Sequence, residues 1–98
     1  MPKIEEEIER VLKVVEPTKY KVLLHNDDYT SMEFVVEILM YIFHKNLVES
    51  EQIMFNIHQK GRAICGVYTF EIAQTKVQQV KETAKSSGFP LLATLEEE

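Results

Sequence analysis

The segment from Met32 to Ile42 restricts the fold most strongly, because its apolar residues lie on two faces of a helix. One stripe consists of Met32, Val35, Leu39 and Ile42, and the other consists of Phe34, Ile38 and Tyr41. A helix on the surface of a small domain needs only one apolar stripe. A chain of 98 residues holds one core and little more. The segment is therefore covered on two sides, or one of its sides lines a groove.

Three strands and three helices are predicted around this segment. Short apolar runs rich in strand formers predict strands at 20–24, 63–68 and 91–95. Helical spacing between turn signals predicts helices from Thr30 to about His44, from Asn46 to Gly61 and from Thr69 to Gly88. The order β-α-α-β-α-β predicts an α+β domain, in which a three-stranded antiparallel sheet is covered on one face by three helices.

Capping signals mark the ends of these helices. Thr30, followed by Glu33, has the pattern of a capping box, and Ser31 in the first turn is interpreted as neutral. Asn46 repeats the capping pattern at the second helix. Gly61 is suited to end that helix, because glycine adopts the left-handed conformation without steric cost.

Residues 1–17 differ from the rest of the chain. They are acidic, carry apolar residues at roughly helical spacing and end at Pro17. A helix of this length is marginal in water unless it packs against another surface. We therefore divide the chain into an N-terminal extension at 1–17, either a short amphipathic helix or a mobile arm, and a core domain at 18–98.

Charge and cysteine content exclude several classes of function. The formal net charge is −5 and the basic residues form no run, so the chain lacks the surface that nucleic acid or an anionic membrane requires. A positively charged partner fits better. Cys65 is the only cysteine, and its apolar strand predicts an unreactive thiol. Without an apolar leader or a membrane span, the cytoplasm is the expected location.

The Asn-Asp-Asp turn at 26–28 and His58 are the most concentrated polar features. Such a turn is common before a helix, whose N-terminus stabilises carboxylates. His58 lies on the predicted apolar side of its helix and is either a core histidine or part of a site. Asp27, Asp28 and His58 could supply the three ligands that a metal site needs, but no pair of residues has the spacing typical of metal sites. An ordinary turn, a binding turn and a metal-dependent enzyme remain as alternatives at this point.

Several separated stretches closely resemble the signature of ClpS, the bacterial adaptor family of the N-end rule. The first is YKVLLHNDDYTSMEFV at residues 20–35, which contains the polar turn. The others are His58 with 61–68, Glu71 with 75–77, and the ending at 90–96. The match is collinear over about residues 20–97.

The resemblance implies a non-catalytic adaptor that binds the N-terminal degron of a substrate protein. The free α-amino group of the degron would be held by Asn26, Asp27 and His58. Its first side chain would enter a hydrophobic pocket lined by Thr30, Met32, Val35, Ile38, Met54, Ile57 and Leu91. A methionine at position 32 implies a preference for Phe, Tyr, Trp and Leu over the β-branched Val and Ile.

The resemblance also implies delivery of the substrate to a Clp AAA+ unfoldase, whose choice of substrates the adaptor modulates. Glu71 and Lys76 match positions that dock the N-terminal domain of a ClpA- or ClpC-type unfoldase, and an exposed salt bridge is the alternative for this pair. No cofactor, metal, nucleic acid or membrane is implied, and a monomer is expected. The alternative function is a generic protein-interaction domain similar to the C-terminal domain of the ribosomal stalk protein.

Two residues depart from the pattern of the family. Ser31 replaces a proline that many relatives carry at the helix start, which should reduce rigidity slightly. His25 replaces a residue that is commonly apolar, and its position beside Asn26 is expected to weaken ammonium binding at low pH.

Overall fold

The fold is taken from a computed structural model that describes residues 17–98. Its elements are β1 (Lys19–His25), α1 (Met32–Tyr41), α2 (Leu47–Lys60), β2 (Arg62–Thr69), α3 (Phe70–Ser87) and β3 (Leu92–Glu97). The predicted β-α-α-β-α-β order is confirmed. The predicted extension at 1–17 lies, except for Pro17, outside the described residues, and the division of the chain at residue 18 stays a prediction.

Strand β1 is the centre of a three-stranded sheet ordered β2-β1-β3. Both of its pairings are antiparallel, as predicted. The register with β2 shifts between Val22, which pairs with Gly66, and Leu23, which pairs with Ile64. Cys65 is therefore the extra residue of a β-bulge, a feature that bends a strand and increases its local twist.

The three helices cover one face of this sheet, where β1 forms the floor of the core. Val22 and Leu24 of β1, Leu39 of α1 and Val80 of α3 are each 0% exposed and belong to one apolar cluster. Burial of a large apolar side chain contributes about 1.5–3 kcal/mol. The polar turn after β1 is thus attached to the most deeply buried strand of the domain.

Helix α1 is covered on two sides. Its buried residues, Phe34, Val35, Ile38 and Leu39, come from both of the predicted stripes. Met32 and Tyr41, at its two ends, are 53% and 75% exposed. The two-sided burial accounts for the surplus of apolar residues, and the exposure of Met32 leaves the first turn of the helix available to line a pocket.

The start of α1 corrects the predicted cap. Ser31 is the N-cap, and its Oγ accepts a hydrogen bond from the N–H of Phe34 at 3.1 Å. Thr30 lies one residue before the cap, and its hydroxyl donates to the carboxylate of Asp27 at 2.7 Å. The prediction of Thr30 as the cap, with Ser31 as a neutral residue, is therefore wrong by one position.

The end of α1 also differs from the prediction, since the helix stops at Tyr41 and not near His44. The carbonyl of Ile42, the C-cap residue, accepts a hydrogen bond from the ammonium of Lys76 at 2.6 Å. His44 has a φ of 56°, in the left-handed region that helices do not use. A cation at a helix C-terminus is electrostatically favourable, so Lys76 stabilises this early stop.

The predicted ends of α2 are confirmed. The Oδ1 of Asn46 accepts a hydrogen bond from the N–H of Glu49 at 2.8 Å. Gly61 ends the helix with a φ of 90°, and its N–H donates to the carbonyl of Ile57. None of the helices formed by residues 17–98 combines the length and the apolar content that crossing a bilayer requires.

The thiol of Cys65 lies in the apolar setting that the sequence predicts. Its side chain is 1% exposed at the bulge of β2. Burial raises the pKa of this thiol to about 12. Because the thiolate is the reactive form, the residue is unreactive in the folded protein.

Candidate functional site

The predicted polar residues meet at one pocket of about 380 Å³, near the lower end of the range of about 300–1,000 Å³ for small-ligand sites. The pocket lies between the turn that follows β1 and the C-terminal turn of α2. Its wall consists of Asn26, Asp27, Asp28, Tyr29, Thr30, Ser31, Met32, Val35, Met54, Ile57 and His58. The wall is polar at the turn and apolar where α1 meets α2.

A backbone hydrogen bond brings the turn to the end of α2. The N–H of Asn26 donates to the carbonyl of Gly61 at 2.8 Å. Gly61 is the C-cap of α2, and His58 lies in the last turn of that helix. One bond between main chains therefore places Asn26 and Asp27 beside His58, although they belong to different elements.

Asp27 organises the turn through both of its carboxylate oxygens. Its Oδ1 accepts hydrogen bonds from the N–H of Tyr29 at 2.8 Å and from the N–H of Thr30 at 2.7 Å. Its Oδ2 accepts one from the hydroxyl of Thr30 at 2.7 Å. Bonds to an ionised acceptor are stronger than neutral ones, so this side chain holds the turn in one conformation.

These bonds keep Asp27 ionised. Burial is the largest single influence on the pKa of its carboxyl and raises it, but the three bonds from Thr30 and Tyr29 together outweigh burial and lower the pKa below the ordinary 3.8. The sign for stability follows from linkage. The stabilisation by Asp27 is complete above the ordinary value of 3.8 and is lost as the pH falls through the lowered pKa.

The polar end of the pocket is suited to a cation with several N–H donors. An ionised carboxylate accepts about four hydrogen bonds, so Asp27 can take one more donor. The exposed side chains of Asn26 and His58 add an amide oxygen and an imidazole nitrogen. The C-terminus of α2 adds partial negative charge. A primary ammonium, with three donors and one positive charge, matches this set.

His58 itself is exposed at the rim of the pocket. The interpretation of it as a core histidine is therefore excluded, and the apolar side of α2 is formed instead by Met54 and Ile57. Asp28 is exposed beside Asp27, but the hydrogen bonds that shape the turn go to Asp27.

The apolar end of the pocket contains most of the side chains predicted for it. Of the seven predicted residues, the wall includes Thr30, Met32, Val35, Met54 and Ile57. It does not include Ile38 and Leu91, which are 2% and 6% exposed and belong to the core cluster. The structure therefore places these two residues in the core around the pocket and not on its surface.

Three lining residues, Asp28, Tyr29 and Ser31, were absent from the predicted set. Tyr29 is 80% exposed, and Ser31 is the cap of α1. The sequence did contain a signal for all of them. They adjoin Thr30 in a short turn, so each of them has to lie near the site.

His25 lies outside the pocket wall. Its Nε2 is 2.7 Å from the Oγ1 of Thr94, so the ring is held toward β3. The sequence predicts that His25 weakens ammonium binding at low pH, but the structure shows no direct contact between His25 and the pocket through which this could occur.

The two predicted docking residues have different surroundings. Glu71 is exposed in the first turn of α3. Lys76 is half-buried, donates to the carbonyl of Ile42 and lies 5.8 Å from the ring centroid of Tyr68. Glu71 and Lys76 are five residues apart on α3 and therefore about 140° apart around its axis, so they face different directions. The ammonium of Lys76 is thus engaged within the fold, while Glu71 is open to a partner.

The interpretation as a metal site finds no matching cluster in the described part of the chain. Across residues 17–98, no group of three or more His, Cys, Asp or Glu side chains converges as metal ligands would.

Comparisons of the sequence with known proteins agree with one another. The family model described as ATP-dependent Clp protease adaptor protein ClpS matches residues 15–94. An ATP-dependent Clp protease adapter protein ClpS from Wolinella succinogenes is 53% identical over 93 residues, which cover 95% of this chain and 91% of that protein. A protein of the same description from Campylobacter jejuni is 55% identical over 86 residues, covering 88% and 90%.

A solved structure is similar in fold as well. The structure of Agrobacterium tumefaciens ClpS2 bound to L-phenylalaninamide superposes with a TM-score of 0.82 at 38% sequence identity. The similarity covers 85% of this chain and 100% of that chain. The ligand in that structure carries a free α-amino group, a phenyl side chain and a carboxamide where a peptide would continue.

Proposed function

The chain belongs to the ClpS family of ATP-dependent Clp protease adaptor proteins, and from that premise we propose that it binds N-terminal degrons and delivers them to a Clp AAA+ unfoldase. The family consists of adaptors without catalytic activity, so the chain is not an enzyme. The observation that carries the proposal is a single pocket with an ionised acceptor at one end and an apolar wall at the other.

In this proposal the degron is a free α-amino group followed by a Phe, Tyr, Trp or Leu side chain. Asn26, Asp27 and His58 hold the ammonium, and the first side chain packs between α1 and α2. Thr30, Met32, Val35, Met54 and Ile57 line that part of the pocket. Ile38 and Leu91 support it from the core. The ammonium is then the positively charged partner that an acidic chain favours.

The magnitudes are sufficient for specific but reversible binding. Charge-assisted hydrogen bonds contribute about 1.5–3 kcal/mol each, and burial of a Phe or Leu side chain adds about 1.5–3 kcal/mol. The entropic costs of association offset part of this sum. A dissociation constant of about micromolar follows, which suits an adaptor that must release its substrate.

N-terminal acetylation provides the direct test. A fluorescent peptide that begins with Phe is titrated with the protein and compared, by anisotropy, with the same peptide acetylated at its N-terminus. Acetylation removes the positive charge and two of the three donors. We expect binding of the acetylated peptide to fall by at least about a hundredfold, from the loss of a charged group with several bonds. Equal affinities for the two peptides would refute the proposed recognition.

We also propose that α3 docks the N-terminal domain of a ClpA- or ClpC-type unfoldase through Glu71. Changing Glu71 to Ala is expected to slow degradation of a reporter that begins with Phe, by a matching Clp unfoldase and peptidase, while peptide affinity is unchanged. An exposed charge–charge contact contributes about 0.2–1 kcal/mol, so the unfoldase affinity should fall by about two- to fivefold.

The control for this experiment is Glu82→Ala, which removes the same charge about three turns further along α3. Degradation with this variant should match that with the wild type. Equal slowing by both substitutions would argue for a general charge effect and against docking at Glu71. Lys76 is a poorer probe, because its ammonium already binds the end of α1, so that its removal breaks a contact within the domain as well as changing the surface.

A further inference from the structure

A second groove lies beside the pocket and shares two side chains with it. It has a volume of about 490 Å³ and runs between α1 and α2 on the far side of Met32 and Met54, which belong to both walls. The rest of its lining is Glu33, Val36, Glu37, Leu47, Glu51 and Phe55. Because Met32 and Met54 belong to both walls, the groove begins at the edge of the pocket.

The groove combines exposed apolar surface with negative charge. Leu47 and Phe55 are 52% and 53% exposed. Three carboxylates, those of Glu33, Glu37 and Glu51, stand on its two sides, and within residues 17–98 its lining contains no basic side chain. Glu33 and Glu37 are four residues apart on one helix, where like charges repel each other. A cation with an apolar stem would relieve this repulsion and cover the exposed surface.

The geometry of an extended peptide selects which of its residues reaches the groove. Successive side chains of an extended chain point to opposite faces, so the first and third lie on the same face, ~6.6 Å apart. If the first side chain enters the pocket, the second points away from the protein. The third points toward the same surface, where the neighbouring cavity is the groove across Met32 and Met54.

We propose that this groove is a subsite for the third residue of the bound peptide and that it prefers arginine or lysine there. The stem of the side chain packs on Leu47 and Phe55, and its cationic end lies among Glu33, Glu37 and Glu51. Arginine gains further from stacking on the ring of Phe55. The inference rests on the proposed function, because the first residue must occupy the pocket.

Peptides that differ only in the position of one charge test the proposal. The reference peptide begins Phe-Ala-Ala, and the others carry Arg at position 2, Arg at position 3, Arg at position 5 or Glu at position 3. By anisotropy at low salt, Arg at position 3 is expected to tighten binding by about three- to tenfold and Glu to weaken it similarly, as a few exposed charge contacts allow. The gain should shrink at high salt, because surface charges are screened.

Two charge-matched variants separate a local contact from overall attraction. The triple variant Glu33→Gln, Glu37→Gln, Glu51→Gln should abolish the gain from Arg at position 3 and leave the affinity for the reference peptide unchanged. The triple variant Glu96→Gln, Glu97→Gln, Glu98→Gln removes the same charge from the exposed end of β3 and should retain the gain. A peptide with Lys at position 3 extends the set, and an additional Phe55→Ala variant should bind the Arg and Lys peptides equally, because the stacking that favours Arg is lost.

The failures of the two proposals are distinguishable. Failure of the reference peptide to bind, or its indifference to acetylation, would overturn the proposed function. Binding of the reference peptide with an equal gain from Arg at positions 2, 3 and 5, or a gain that survives the first triple variant, would overturn the groove proposal alone.

Discussion

Replacing Asp27 with Asn is expected to weaken binding of a peptide that begins with Phe by about ten- to a hundredfold, the loss of one charge-assisted contact. The change removes the negative charge from the polar end of the pocket and preserves the shape of the side chain. The Asn amide can still accept through one oxygen from the N–H groups of Tyr29 and Thr30, and the Thr30 hydroxyl can rotate to accept from its NH₂. The turn is therefore kept while the ammonium loses its countercharge.

Asp28→Asn is the matched control for Asp27→Asn. It is the neighbouring residue in the same wall and makes the same change of charge, but its carboxylate is exposed and receives none of the bonds that shape the turn. Its affinity for the Phe peptide should stay within about twofold of the wild type, as for an exposed charge. Equal losses in the two variants would mean that overall charge, and not the carboxylate of Asp27, attracts the ligand.

Urea unfolding of the Asp27→Asn variant separates binding from folding. The loss of ionic character in three hydrogen bonds should lower the free energy of unfolding by about 1–2 kcal/mol, a cost that leaves a small domain folded. A variant that is folded by this measure and binds the peptide as tightly as the wild type would remove Asp27 from the proposed recognition.

The order of strands and helices in this chain could be predicted because its periodicities are strong and most of its breaks are clear. Gly61 is an example, since a glycine after an apolar helical pattern ends a helix for a local reason that needs no tertiary information. The cap of α1 was harder. Thr30 and Ser31 both have hydroxyls that could cap the helix. In the structure the Thr30 hydroxyl bonds to the carboxylate of Asp27 and the Ser31 hydroxyl forms the cap.

Contacts between distant parts of the chain limit what the sequence predicts about the site. Periodicity shows that Ile38 and Leu91 are apolar and inward-facing, but not whether they meet the pocket or only other core side chains. The same limit applies to Lys76. Its bond to the carbonyl of Ile42 joins residues 34 positions apart, and the helical spacing of apolar residues does not indicate such a bond.

The proximity of the turn to His58 also depends on a contact between distant parts of the chain. The residues of the turn and the end of α2 are both recognisable as polar positions, but the bond between the Asn26 N–H and the Gly61 carbonyl makes them neighbours. From composition and spacing alone, Asn-Asp-Asp was compatible with both an ordinary turn and a binding turn, and the ordinary turn was the favoured interpretation. The resemblance to a known family, and not periodicity, connected the turn with His58 before the structure did.

Replacing Met32 with Ala is expected to let the pocket accept peptides that begin with Val or Ile. Met32 is half-exposed at the first turn of α1 and belongs to the pocket wall, so it borders the mouth through which the first side chain enters. A β-branched side chain is widest at Cβ, next to the backbone, whereas Phe is narrow there and wide only deeper in the pocket. A side chain that narrows the mouth therefore penalises Val and Ile more than Phe.

The size of this effect follows from the volume removed. One methylene in a specificity pocket is worth about 1–3 kcal/mol, but methionine is flexible and can move aside, so the lower end of that range applies. The affinity for a Val peptide should rise by roughly tenfold, and that for the Phe peptide should fall by a few-fold because the phenyl ring packs against a smaller side chain. Anisotropy with peptides that carry Ala at positions 2 and 3 measures both constants without a contribution from the groove.

Met40→Ala is the matched control for Met32→Ala. It makes the same change on the same helix, outside the pocket wall, and should lower stability without changing the ratio of the two affinities. An unchanged preference for Phe over Val in Met32→Ala would mean that the rigid parts of the wall, Val35 and Ile57, set the specificity. A collapse of that preference in Met32→Ala alone would assign the discrimination to one flexible side chain at the mouth.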